Sequence, residues 1–351
     1  MSFLANAFFL VGSVFITELL AVDKHEKEAN TNTYVTIHIG QGAESEGGNV
    51  PHVALWDFNG VRVGQYHPRS KDKIPDEGMV ELVIPNSQTP IESKQVQAPY
   101  IMLSMNDDNA ICINYITITT NGAQWTWTGD IGYQCGMDYY PSTLEVGSGV
   151  HTPKCVWIDK NHSGDLHFQG LSMHMPDFSQ SQGMTDEFNA DPGMLCDNPA
   201  RFKAWPEIWP DYGTPKFLPP LQYTPEGADA DPSRIKPQRK RKRDSSRKLV
   251  ARTPLSSSNP KPSHLVVSSH DSHSAHELCA NERSFGPDFV STAEGIFCDM
   301  SEKKAWPLCS SSIKSDCFDL EAQSLRHSGL HRRGELLPAL KTYNTTSFWD
   351  A

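Results

Sequence analysis

The stretch VALWDFNGVRVGQYH, residues 53–67, decides the reading of the fold. Two runs rich in β-branched and aromatic residues, 53–58 and 61–67, flank Asn59-Gly60. Asn-Gly adopts positive φ at little cost and so turns the chain between two strands; the stretch reads as a β-hairpin. Similar runs lie on either side. They are TYVTIHIGQ (33–41), MVELVIP (79–85), YIMLSM (100–105), AICINYITIT (110–119) and WTWTG (125–129). Alternating side chains fall on opposite faces of a strand, so each run offers one face to a core. Six or seven short strands separated by turns predict a mainly β chain built as an antiparallel β-sandwich. No helical period is evident before residue 140.

Further along, CVWI (155–158) and LHFQGLSMHM (166–175) read as strands. The segment AWPEIWPDYGTPKFLPPLQYTP (204–225) holds too many prolines for a regular element. Trp205, Trp209, Phe217 and Leu221 offer apolar area, so it is expected to wrap the sandwich as a long ordered loop with those side chains buried. The sandwich with its loops is assigned to residues 30–224. Residues 225–263 are poor in large apolar residues and rich in Pro, Ser, Asp, Lys and Arg, and predict a disordered basic linker. Order returns at HLVVSS (264–269) and opens a small Cys-rich C-terminal segment, 264–351. Within it, Ser274 and Glu277 have capping-box spacing for a short helix. Its strand-like pieces Leu265–Ser268 and Gly295–Met300 are expected to pack on the sandwich.

The chain begins MSFLANAFFLVGSVFITELLA (1–21), an apolar run ending in a small residue, which is the form of a secretory signal peptide cleaved before Val22. Thr17 and Glu18 interrupt it, so no membrane span is expected. A secreted protein is therefore predicted. Hydrophobic residues are 38% of the 351 and charged residues 21%, and 25 prolines and 24 glycines favour a loop-rich β protein. The net charge of −11 is unevenly spread. Residues 234–252 carry +9, which leaves about −20 for the rest, so the body should repel nucleic acid and anionic membranes. The cysteines are Cys112, Cys135, Cys155, Cys196, Cys279, Cys298, Cys309 and Cys317. The count is even, no CxxC pair occurs, and disulfides rather than zinc or redox sites are expected.

Candidate sites are sparse. Lys240, Arg241, Lys242 and Arg243 form a dibasic run that reads as a processing site, an inert linker, or a nuclear import or polyanion-binding signal. Cutting after Arg241 or Arg243 is expected to leave two parts joined by packing or by a disulfide that crosses the cut. Asp57, Asp107, Asp108 and Asp130 fall at predicted strand ends, where loop carboxylates can gather around calcium; turn formation is the simpler use. The run 159–165 resembles half of a calcium loop but lacks its last ligand, and reads as a polar turn. His264, His270, His273 and His276 could bind a metal, although their serine-rich setting favours a solvated segment. Asn161 and Asn344 are N-glycosylation acceptors. No GxSxG, HExxH, P-loop or dinucleotide fingerprint is present, so no catalytic residue and no cofactor is assigned.

Several segments resemble a family of secreted proteins of filamentous fungi. They are residues 107–142, CVWID (155–159), SAHELC (274–279), GPDFVSTAEGIFCDM (286–300), WPLC (306–309) and CFDL (317–320). The resemblance implies an extracellular, disulfide-bonded molecule and carries over no catalytic residues. The front half also resembles PLAT or C2 sandwiches, with Trp125 and Trp127 near its end. The expected function is a non-enzymatic secreted protein, surface-binding or effector-like, whose partner is an extracellular carbohydrate or a surface protein. The alternatives are a secreted polysaccharide hydrolase and an effector that enters a host nucleus through the basic run. Exposed aromatics would favour a binder, and a cleft with close carboxylates a hydrolase.

Overall fold

A computed structural model of the chain describes residues 31–40, 47–75, 78–146, 151–178, 181–210, 212–234, 259–328 and 341–350. Residues 1–21, read above as a signal peptide, and Lys240–Arg243 lie outside the described residues. The chain divides into two compact units, one up to Ala251 and one from Arg252.

Unit one is a mainly antiparallel β structure. Its strands are β1 (Asn32–Ile39), β2 (Gly48–Asn49), β3 (His52–Trp56), β4 (Arg62–Tyr66), β5 (Lys73–Ile74), β6 (Met79–Pro85) and β7 (Tyr100–Ser104). Then follow β8 (Ile111–Thr120), β9 (Ala123–Thr128), β10 (Tyr139–Tyr140), β11 (Cys155–Ile158), β12 (Gly170–His174) and β13 (Phe202–Trp205). One sheet has the order β10-β11-β8-β1-β6, with β9 also on β8; a second has the order β13-β12-β7-β3-β4.

The alternation in the sequence becomes the facing of the sheets. Val35, Ile37 and Ile39 of β1 sit opposite Ile118, Ile116 and Ile113 of β8, and all six are fully buried. A bulge between the pairs His38–Tyr115 and Ile39–Ile113 shifts β8 by one residue. The shift keeps Ile113 on the same face as Ile116, which strict alternation would have reversed. Trp127, opposite Ile116, stacks on Phe202 of the other sheet at 5.7 Å. Gly64 allows the sheets to close at one side: a Cβ there would stand 2.5 Å from the Pro85 carbonyl and 2.9 Å from Ile84.

The hairpin expected at 53–67 is present, with a longer loop than a two-residue Asn-Gly turn. Gly60 N–H donates to the Asp57 carbonyl at 3.0 Å and Asp57 N–H to the Val61 carbonyl at 2.9 Å. Gly60 has φ 79°, so a turn followed by a glycine bulge joins the strands, and the register shifts once more at Leu55/Trp56, where Val63 is the extra residue. Two other readings differ from the structure. The expected strand 166–175 is reduced to β12, and short helices follow β9 and precede β13. These are α1 (Gly129–Gln134), α2 (Gln182–Ala190) and α3 (Met194–Asp197). They are too short to show a hydrophobic period.

Unit two has β14 (His264–Ser268), α4 (Ala275–Ala280), β15 (Asp288–Ser291), β16 (Ile296–Asp299), β17 (Lys304–Pro307), β18 (Cys317–Asp319), β19 (Ser324–Arg326) and β20 (Thr345–Trp349). Five of them form a mixed sheet, β17-β16-β15-β14-β20, in which β14 runs parallel to both neighbours. Leu265–Ser268 and Gly295–Met300, read as strand-like pieces, form β14 and β16 of this sheet. Leu265, Val267, Val290, Phe297 and Phe318 give the unit its own core. Ser274 caps α4, its hydroxyl accepting from Glu277 N–H at 3.0 Å, as the capping box requires.

Of residues 225–263, read as a linker, 225–234 and 259–263 are described and both carry buried polar anchors; 235–258 lie outside the described residues. Asp229 is buried in unit one, and Asn259 is buried in unit two against Asp288. Composition concealed this, because both segments are held by polar contacts and not by apolar burial.

All eight cysteines are paired: Cys112–Cys155, Cys135–Cys196, Cys279–Cys298 and Cys309–Cys317. Four disulfides point to an extracellular protein. No helix among the described residues is long and apolar enough to cross a membrane. No disulfide joins the residues before 197 to those after 278, so the expected covalent crossing of a cut at 241–243 does not occur. Material cut there should give two bands on a non-reducing gel. A cut form that separates only after reduction would contradict this pairing.

Candidate functional site

The outer face of the second sheet carries the most unusual side chains in unit one. Register defines it. Trp56 lies opposite Tyr100 and Arg62, Tyr100 opposite His174, Met102 opposite Ala54 and Ser172, and Ser172 opposite Lys203. Directly opposed residues share a face, as do residues two apart on one strand, so Arg62, Trp56, Tyr100, Lys203 and Trp205 all project to the same side.

The proline-rich segment after β13 crosses this face. Ile208 joins a cluster with Ala54, Trp56, Tyr100 and Met102, and Trp205 packs at its margin. The backbone is pinned by side chains of the sheet: Ser104 hydroxyl donates to the Ile208 carbonyl at 2.8 Å, and Ile208 N–H donates to Gln169 Oε1 at 2.9 Å. Phe217 N–H donates to the Tyr100 hydroxyl at 3.0 Å, and Phe217 and Leu221 are buried. The segment is therefore an ordered wrap, as its apolar residues suggested.

One expected anchor departs from that reading. Trp209 is 76% exposed and Tyr212 is 54% exposed. Half-buried Trp205 meets Tyr212 edge to face at 6.1 Å and is fixed by its Nε1–H, which donates to Ser172 at 2.9 Å. Trp209 stands clear because its neighbour Ile208 already fills the space over the sheet. Pro206 and Pro210 bracket Trp209 and restrict the backbone on both sides of it.

Cations flank the aromatics. Lys203 Nζ lies 3.3 Å above the Trp205 ring. Lys216 Nζ and the Arg62 guanidinium lie 4.5 Å and 4.4 Å from the centre of the Trp56 ring. Burial lowers the Lys203 ammonium from its ordinary value. Burial and the neighbouring Arg62 bring Lys216 down to about 8, against the pull of Asp57. Cation–π contact is worth about 0.5–2 kcal/mol, rising with desolvation.

Beside this face lies a buried ionic network. Arg201 is completely buried; its Nη2 donates to Asp229 at 2.6 Å and its Nε lies 3.2 Å from Asp177. His174 Nδ1 is 3.0 Å from Asp177, and the Tyr223 hydroxyl donates to Asp177 at 2.7 Å. Burial alone would raise the Asp177 carboxyl, but His174 and the Arg201 guanidinium beside it, with the bond from Tyr223, outweigh that and hold the group below the usual carboxylate range. The network ties the wrapping segment and residues 223–229 to β12 and β13.

The calcium candidates are not brought together. Asp57 follows β3 and Asp107 and Asp108 follow β7; these strands are antiparallel, so the residues lie at opposite ends of one sheet. Asp57 accepts from Val61 N–H at 2.8 Å, and Asp107 from Asp108 N–H at 2.9 Å, both as turn formers. Asp130 pairs with His151 at 2.6 Å. The run 159–165 is a polar turn in which Asp159 accepts from Ser163. Among the described residues no group of three His, Cys, Asp or Glu could hold a metal ion.

The histidine run is not wholly solvated as expected: His264 is buried against Ser347, and His273 against Ser268. Asn161 and Asn344 are both exposed. Lys203, Lys216 and Arg62 were not legible as site residues, because strand facing, strand order and the path of the wrapping segment bring them to one face. The one local signal was the aromatic pair Trp209 and Tyr212 among prolines. No protein-family model matches the chain, and no curated protein matches it in sequence.

Proposed function

We propose that this is a secreted, non-enzymatic binding protein whose aromatic surface at Trp205, Trp209 and Tyr212 takes up an extracellular carbohydrate. The observation that carries the reading is the exposure of Trp209 beside Ile208, on a segment anchored to the sheet at Ile208 and again at Phe217. A pyranose presents an apolar C–H face that stacks on an indole, while its hydroxyls stay in water. Rings fixed before binding lose little conformational entropy on complex formation. Four disulfides support an extracellular setting, and the likeness to the fungal secreted family points the same way.

The test is retention of the secreted full-length protein on insoluble polysaccharides of neutral and acidic type. Trp209→Ala combined with Tyr212→Ala should weaken retention by about tenfold or more, as truncation of central aromatic anchors does. Both side chains are exposed, so the melting temperature should stay within a degree or two. Wild-type protein that binds none of the polymers would overturn the reading, as would unchanged binding by the variant.

A further inference from the structure

We infer that the carbohydrate taken up by this surface is an acidic polysaccharide, whose uronate carboxylates meet Lys203 and Lys216 while its rings lie on the exposed aromatics. The inference rests on the carbohydrate reading above and adds the charge of the ligand. Its basis is where the cations stand. Lys203 and Trp205 are on β13; Trp56 and Arg62 are on β3 and β4, with Lys216 brought over Trp56 by the wrapping segment. β13 and β4 are the two edges of the five-stranded sheet, four strand spacings or roughly 19 Å apart. Lys203 thus stands at one margin and Arg62 at the other, with Lys216 over Trp56 on β3, three strand spacings or roughly 14 Å from β13, and Trp209 and Tyr212 are displayed on the segment that crosses the face. A polymer with repeating carboxylates can engage both margins at once, which a small anion cannot.

The charges are also left to a ligand. Neither Lys203 nor Lys216 forms an ion pair with a carboxylate among the described residues; each is held by an indole face, and Lys216 also donates to the Thr214 carbonyl at 2.9 Å. Asp57 is the acid nearest in influence on Lys216, but its Oδ1 is engaged by Val61 N–H. The chain as a whole carries −11. An acidic protein gains nothing for a neutral ligand by keeping partly desolvated cations on its aromatic face. A carboxylate arriving there replaces the water that burial removed, and relieves the repulsion between Lys216 and Arg62.

The experiment compares retention of the full-length protein on polygalacturonate, on its methyl-esterified form and on chitin, at low and high salt. All three probes are pyranose polymers, and the first pair share one sugar whose carboxylate is free in one and capped as a neutral methyl ester in the other. Wild type should be retained on the free acid about tenfold better than on the ester, and high salt should remove the difference. Lys203→Gln with Lys216→Gln should lose about tenfold on polygalacturonate, since two charged contacts of about 0.5–1 kcal/mol each are removed. Circular dichroism confirms that the variant is folded. Equal retention on acid and ester, or an unaffected double variant, overturns the acidic assignment and leaves the carbohydrate reading standing. Failure to bind any polymer overturns both. Retention on polygalacturonate that is abolished by Lys203→Gln with Lys216→Gln but untouched by Trp209→Ala with Tyr212→Ala would indicate charge attraction alone, and overturns both as well.

Discussion

Arg201→Met should lower the unfolding free energy of unit one by about 3–5 kcal/mol, the cost of removing one partner from a buried ion pair. The size follows from what the substitution leaves behind. Asp177 and Asp229 are both buried, and Arg201 is the cation between them. Methionine fills much of the same volume, so lost packing contributes little and the unpaired carboxylates contribute most. Asp177 would keep His174 and Tyr223, whereas Asp229 would lose its short bond from Nη2.

The pH dependence separates this account from a packing defect. Asp177 is depressed in the folded protein, so its stabilising contribution is present above its unfolded pKa and is lost as pH falls through its lower folded value. The difference between wild type and Arg201→Met should therefore be full at neutral pH and narrow in acid. Denaturant titrations of unit one at several pH values measure it. A gap that is constant with pH, or below about 1 kcal/mol at neutrality, would show that the network is not paired as described. Unit two contains none of these residues.

The second large effect concerns a disulfide. Cys135→Ser with Cys196→Ser should cost about 4 kcal/mol, because this bridge spans 61 residues and the loop-closure entropy it removes from the unfolded chain grows with that length. It joins the end of α1 to α3, five residues before Arg201, so it also holds the stretch that places the guanidinium. The corresponding change at Cys309 and Cys317, which spans 8 residues, should cost about 2–3 kcal/mol. Thermal or denaturant unfolding of the two serine pairs gives the ranking. The reverse order would show that strain or residual structure, not loop length, governs these bridges. Combining Cys135→Ser and Cys196→Ser with Arg201→Met should give less than the sum, since both loosen the same segment.

The strands were legible because their signal is local. A period of two in 33–41, 79–85 and 110–119 exists before any partner is chosen, and the Asn-Gly at 59–60 marks its own turn. Even there the bulge in β8 was hidden, since a shift in facing belongs to the pairing with β1. The mixed sheet of unit two was hidden for the same reason: β14 and β20 are adjacent though 76 residues, 269–344, lie between the end of one and the start of the other, and nothing within either run states that they pair in parallel.

By itself the sequence determined the β character of the chain, the cysteine count with its extracellular implication, and the capped turn at Ser274, because each depends on neighbours along the chain. Tertiary structure alone decided which cysteines pair, which carboxylates face Arg201, and that Trp209 faces water while Phe217 and Leu221 face protein. The physical reason is the same throughout. Apolar content says that a residue gains by burial, but the sheet has room over it for only some of the wrap's side chains. Ile208 and Phe217 fill that room, and Trp209 is left outside as the surface on which a ligand can stack.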